Sequence, residues 1–194
     1  MIEEDNFAEN YENLDLSGQE IVAKEFEDCT FTRCDFSSTV FKQCKFSDCT
    51  FKACDLSLIS VLDSQFSACT FEDCKIIGVD WSKASWVALT QRTSQFKSCV
   101  LNDSSFWGLK LESLMISACE ARDVDFREAN LTEADFRDTD FTEALFRNTN
   151  LTKADFTHAR NFNIDFRVNT LSGAKFSRYE AVRLLGGLGI ILVD

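Results

Sequence analysis

The sequence predicts an all-β solenoid, a β-helix in which the chain turns a corner once every five residues. Three observations carry that reading. Written in fives, with a central position i at 11, 16, 21 and onward to 176, the chain has 34 central positions without insertion or deletion, and 17 of its 19 phenylalanines occupy one. At i−2 the side chain is Cys, Ala, Ser, Thr or Val in 24 of the 30 positions from 29 to 174. None of the 194 residues is proline, so each keeps the backbone donor that a continuous ladder needs.

A period of five suits neither ordinary element. Five residues of α-helix rotate by about 500°, so the apolar stripe would spiral around the rod. In a flat strand five is odd, and successive central residues would point to opposite faces. Turning once per repeat keeps every i and i−2 side chain inside, and coils stacked on one another bury a shared core. The other three positions face outward. Phe7 and Phe162 fall off the beat, and Gln91, Ala121 and Asn161 are the central residues that are polar or small.

In chain order, residues 1–10 read as an N-terminal cap, 11–176 as the β-helix and 177–194 as a C-terminal capping and dimerisation segment. After Phe176 the beat stops and SRYEAVRLLGGLGIILVD follows. Ser177 is expected to cap a short helix through Tyr179, Ala181, Val182 and Leu185, with Gly186, Gly187 and Gly189 ending it and Ile190 to Val193 forming a strand. A bare solenoid end would expose core and unpaired strand edges, so the tail covers it. Leu184, Leu185, Leu188, Ile190, Ile191, Leu192 and Val193 carry more apolar surface than one coil end needs, and Tyr179, Leu184, Leu185, Leu188, Ile190, Ile191 and Leu192 are the candidate dimer interface. That excess predicts a self-complementary contact between two copies.

Composition excludes several classes of function. A formal charge of −12, from 32 acidic against 20 basic residues, argues against direct binding to nucleic acid or an anionic membrane. No apolar run approaches the ~18 residues of a membrane span. Met1 is followed by IEEDNFAENYEN rather than a basic and apolar leader, so a cytoplasmic location with reduced thiols is expected. All nine cysteines (29, 34, 44, 49, 54, 69, 74, 99 and 119) occupy i−2. Their C-x₄-C spacing is not the C-x₂-C of metal sites, and they read as small buried side chains, with a metal or redox role as the alternative. No G-x-S-x-G, P-loop, G-x-G-x-x-G or H-E-x-x-H motif is present, and the lone His158 falls at the outward i+2 position. Neither an enzyme nor a cofactor is expected.

What remains is the outward surface. Residues 1–20 carry seven acids and no base, and residues 112–143 carry ten acids against three arginines. Acids at i+2 fill five consecutive repeats, at Asp123, Glu128, Glu133, Asp138 and Glu143.

The stretches CTFTRCDF and ANLTEADFRDTDFTEALFRNTNLTKADF (129–156) resemble the pentapeptide-repeat family, whose motif is A(D/N)LXX. The resemblance covers about residues 11 to 176 and implies a right-handed quadrilateral parallel β-helix with 20 residues per coil. On that geometry Asp103, Asp123 and Glu143 stack in one column at about 4.8 Å, and the i−1 acids Asp125, Asp135 and Asp155 belong to the family motif. The tail pattern Y-x-A-x-x-L-L-x-x-L-G-I, from Tyr179 to Ile190, and more weakly TQRTSQF (90–96), is similar to the Qnr and MfpA group. In that group the helix and strand of the tail are exchanged in a head-to-head homodimer.

That similarity implies a DNA mimic that binds DNA gyrase or topoisomerase IV and modulates it or protects it from quinolones or toxins. The candidate topoisomerase-binding surface is Asp103, Asp123, Glu128, Glu133, Asp138 and Glu143. Solubility is the alternative role for these acids, and a scaffold for some other protein partner is the alternative function. Qnr-type members carry loops projecting from the coils; here the uninterrupted beat predicts none, since the polar step Thr90-Gln91-Arg92-Thr93 adds no residues.

Overall fold

In the computed structural model, which describes residues 5–86, 93–188 and 190, the chain winds into a right-handed quadrilateral parallel β-helix. Four faces follow one another around each coil, and we number them in chain order from Tyr11, Leu16, Ile21 and Phe26. The first face is a parallel sheet of Asn10–Glu12, Thr30–Thr32, Thr50–Lys52, Thr70–Glu72, Gln95–Lys97 and Met115–Ser117. Bridges from Met115 to Asp135 and Asp155 continue it to Lys175–Phe176. The second face is held by single-residue bridges, beginning Asp15 to Asp35 to Asp55 to Lys75. Glu20–Val22 pairs with Val40–Lys42 on the third face, and Asp5–Phe7, Glu25–Glu27, Lys45–Ser47 and Gln65–Ser67 form the fourth.

Stacking like on like explains the phenylalanines. Phe31, Phe51, Phe71 and Phe96 form one ladder with ring centroids 4.8, 4.9 and 4.8 Å apart. Phe26, Phe46 and Phe66 form another at 4.8 and 4.9 Å. Successive rings within a coil meet edge to face, as Phe31 and Phe36 do at 5.5 Å and 79°. One residue type thus supplies stacked contacts along the axis and T-shaped contacts around it.

Each corner is turned at i+2. That residue is left-handed along nearly the whole rod, with glycine only at Gly18, Gly78, Gly108 and Gly173 and with φ between 51° at Ala23 and 62° at Glu128 among the others. Left-handed φ costs a side-chain-bearing residue roughly 1–2 kcal/mol, so the coil stacking must offset that strain at every corner. Many corners close with an i+3 to i hydrogen bond, such as Gln19 N to Leu16 O at 3.1 Å.

The unbroken beat conceals an insertion, which corrects the expectation of no extra residues. Ser85 bridges Gln65, twenty residues back, but Gln95 pairs with Thr70, twenty-five residues back. Asp80 to Ser105 and Lys75 to Val100 keep the offset of twenty-five, and Gln95 to Met115 restores twenty. Five residues between Ser85 and Gln95 therefore exceed the coil. Most of Thr90-Gln91-Arg92-Thr93 lies outside the described residues.

Three further departures have local causes. Asn161 takes the left-handed conformation and Phe162 is buried in its place, while Phe166 is exposed although it keeps the beat. Pairing begins at Asp5–Phe7, ahead of the boundary at residue 11, because Asn6 fills the central position. Its amide donates to Glu25 O and accepts from the Tyr11 hydroxyl at 2.7 Å, which closes the first coil with hydrogen bonds instead of an apolar ring. The tail helix is a 3₁₀ helix, Glu180–Leu188, that runs through Gly186 and Gly187 rather than ending there. The Ser177 hydroxyl accepts from His158 N at 2.8 Å and so is engaged with the coil beside it. The strand expected over Ile190 to Val193, including candidate interface residues Ile191 and Leu192, lies outside the described residues except for Ile190.

Candidate protein-interaction surface

With the interior filled by i and i−2, the outward positions carry whatever function the rod has. The i−2 side chains also serve the backbone. Cys44 N donates to Ser64 Oγ, Cys119 N to Thr139 Oγ1, and the Thr39 and Thr139 hydroxyls donate to Leu16 O and Ile116 O. Thiols fill the same place, as Cys49 Sγ to Phe26 O at 3.4 Å shows. All nine cysteines are free and buried. Among the described residues no group of three or more His, Cys, Asp or Glu could hold a metal ion, and no helix is long and apolar enough to cross a membrane.

All six candidate acids are exposed. Each holds a left-handed corner, with φ of 60° at Asp103, 55° at Asp123, 62° at Glu128, 61° at Glu133, 60° at Asp138 and 57° at Glu143. A step of five carries the chain to the next corner, so Asp123, Glu128, Glu133 and Asp138 stand at four different corners of one coil. They do not form one patch. Only Asp103, Asp123 and Glu143 share a column, where Asp103 N donates to Arg122 O and Asp123 N to Thr142 O, both at 2.9 Å. Beneath that column the same corner carries Gly78 and Leu58, so the acid stack is three residues high.

The remaining acids differ in partner. Glu133 accepts from Lys153 Nζ at 2.7 Å, and that contact lowers its pKa. Asp138 faces His158 Nδ1 at 3.4 Å. Among the described residues Asp103, Asp123, Glu128 and Glu143 have no ion-pair partner.

The motif acids at i−1 do structural work. Asp125 and Asp135 each accept from the backbone N–H two residues on and hold Arg127 and Arg137 in two-pronged bonds, at distances from 2.6 to 2.9 Å. Asp15, Asp35 and Asp55 accept from Ser17 N, Ser37 N and Ser57 N in the same way. These three stack on the second face, whose far edge is the Asp103–Asp123–Glu143 corner, so the second face carries acids along much of the rod. Sequence reading did not single out Asp15, Asp35 and Asp55; their shared spacing of twenty was the available signal.

The tail places Tyr179, Leu185, Leu188 and Ile190 at the surface, while Leu184 packs against the last coil. A shallow pocket lies among Tyr179, Val182, Leu185, Gly186 and Ile190.

Residues 24–106 and 88–156 match the family model for the pentapeptide repeat region. The chain belongs to the pentapeptide-repeat family. A solved structure of trypsin-treated QnrB1, a plasmid-mediated fluoroquinolone resistance protein, is similar with a TM-score of 0.66 and 24% identity, over 98% of this chain and 92% of that one. Full-length QnrB1 gives a TM-score of 0.50 at 22% identity, over 96% of this chain and 100% of the other. At these identities the likeness shows the fold alone. No curated protein sequence matches the chain.

Proposed function

We propose that the chain is a DNA mimic that binds DNA gyrase or topoisomerase IV through its acidic second face, and modulates the enzyme or protects it from quinolones or toxins. The observation that carries this reading is the column of Asp103, Asp123 and Glu143, three exposed carboxylates at rung spacing without ion-pair partners among the described residues. Charges about 4.8 Å apart are sparser than duplex DNA, with one per roughly 1.7 Å of axis, and nearer to one strand at about 3.4 Å. The face therefore imitates one edge of the duplex. The likeness of QnrB1, a fluoroquinolone resistance protein, supports the choice of target. The exposed apolar side chains of the tail support a homodimer through the C-terminal segment, which would double the length of the acidic rod.

Gyrase supercoiling and ciprofloxacin-induced cleavage assays test the reading. The protein should inhibit supercoiling or suppress cleavage, and D103K/D123K/E143K should remove the effect while keeping the fold, because Lys153 already occupies such a corner. An unchanged effect in that variant would remove the second face from the mechanism; no effect of the parent at tens of micromolar would end the mimic reading. Sedimentation of L188E beside the parent tests the dimer, and equal mass for both would overturn it.

A further inference from the structure

Between the first coil and the tail helix, every large apolar side chain that the described residues expose lies on the third face or its bounding corners. Val22, Leu58 and Leu62 occupy the N-terminal half, and Trp107, Leu145, Phe166 and Val168 the C-terminal half. This is a different face from the one assigned to topoisomerase, and the inference does not rest on that assignment.

The outward i+1 column of this face runs Trp107, Arg127, Arg147 and, past the slip at Asn161, Val168. Gly108 N to Arg127 O, Glu128 N to Arg147 O and Asn148 N to Val168 O, each 2.9 Å, fix the stacking. Arg127 is held by its own Asp125 and Arg167 by its own Asp165, both in two-pronged bonds with a shorter contact of 2.7 Å. In the row of Arg147, next to that of Arg127, the acid is missing. Leu145 stands where Asp125 stands in the row of Arg127, bridges directly onto Asp125 and is 46% exposed. Among the described residues Arg147 has no ion-pair partner.

A guanidinium fork matches a carboxylate in shape and charge, and Asp125–Arg127 in the neighbouring row and Asp165–Arg167 further along the chain show that geometry completed from within. The row of Arg147 leaves it to be completed from outside, with Leu145, Phe166 and Trp107 as apolar ground around it. Acids bound the strip: Asp103, Asp123 and Glu143 at one corner and Glu128 at the other. A polyanion laid across the face would meet those acids, whereas a single carboxylate in an apolar segment would not. We propose that the third face from Trp107 to Val168 is a protein-binding surface for an extended apolar segment of a partner, carrying one acidic residue that bonds Arg147.

The test uses a fluorescein-labelled nine-residue peptide of alternating Ser and Phe with one central Glu, and matched peptides with central Gln or Lys, titrated into the full chain by anisotropy. The Glu peptide should bind at least about tenfold more tightly than the Gln peptide, the discrimination expected of a charge-assisted fork. L145D, which completes the fork internally, and R147E should each abolish that preference, and D123N should leave it intact. Thermal melts establish that the variants fold, and L145S replaces L145D if the latter does not. Equal binding of the three peptides, no binding of any, or full binding by folded L145D would overturn the proposal. So would preferential binding of a single-stranded oligonucleotide, or self-association that L145D abolishes, which would give the face to a second copy.

Discussion

The backbone N–H of Cys34 donates to the thiol sulfur of Cys54, one coil along, at 3.4 Å. Cys54 N does the same to Cys74, and Cys99 N to Cys119 at 3.3 Å. Each sulfur in turn donates to a carbonyl of the preceding coil, as Cys54 does to Phe31 O. Five thiols thus form one column on the second face, and Thr139 continues it with its hydroxyl. The column supplies hydrogen-bonding partners where the inward-turning chain leaves the strand ladder.

A substitution series at Cys54 separates packing from this hydrogen bonding. Cys54→Ser should cost under about 1 kcal/mol, because a hydroxyl replaces one acceptor and donor by another; Ser64 already plays that part for Cys44 N at 3.0 Å. Cys54→Val fills the volume but leaves Cys34 N and Phe31 O unsatisfied, and should cost about 1–3 kcal/mol. Urea unfolding of the two variants decides it, and equal losses would show that the column acts through volume alone.

The thiols also predict alkaline behaviour. Burial pushes Cys49 up to about 12, and the Cys119 sulfur, with burial in support, brings Cys99 to about 12, against an ordinary value of 9.0. Ionisation is favoured in the unfolded chain, so the stabilisation is complete below pH 9 and is lost as pH rises toward 12. The urea midpoint should fall between pH 8 and pH 10, and fall less in C49S/C99S. A parallel fall in both proteins would assign the loss to other groups.

Much of this architecture is legible in the chain, and what is not has a physical reason. Identical rings stack best on themselves, so Phe31, Phe51 and Phe71 announce their column through spacing. The insertion is silent because its length equals the repeat: Trp86, Gln91 and Phe96 all stay on the beat, and polar Gln91 is the single mark of it. Asn161 marks the second irregularity, where Phe162 takes the core place one residue late. The i+2 acids suggested one patch because they recur in sequence, yet a step of five turns a corner and only a step of twenty stays on a face. Leu145 went unnoticed since its meaning depends on Asp125 in the row beside it.

Asp140 should be the most costly single acid to remove. It is buried, accepts from Thr142 N and Oγ1 at 3.1 and 2.7 Å and from Asn161 Nδ2 at 2.9 Å, and pairs with Arg122 at 3.1 Å. Asp140→Ala should cost about 3–5 kcal/mol, the usual penalty for orphaning buried charge partners, and Asp140→Asn less. Burial alone would raise this carboxyl; the hydrogen bonds from Asn161 and Thr142, with the charge of Arg122, outweigh it and hold the pKa at about 2. The contribution is therefore complete above the ordinary value of 3.8 and disappears as pH falls toward 2. Unfolding midpoints from pH 5 to pH 2 should converge for the parent and D140N, and a constant gap between them would refute the assignment.

Deleting residues 87–91 removes the five that exceed the coil and brings Gln95 to an offset of twenty from Thr70. The ladder partners on either side, Ser85 with Gln65 and Gln95 with Thr70, are retained. Shortening a connection lowers the entropy of closing it by only a few tenths of a kcal/mol, so the melting temperature should stay within a few degrees or rise. A large fall would show that the extra residues cover the core beside Trp86. The deletion also divides the functional question. If gyrase activity survives it but not D103K/D123K/E143K, the acidic face acts alone. If both abolish it, the insertion and the face act together on the enzyme, which would require the target to contact the second face and the segment between Ser85 and Gln95 at once.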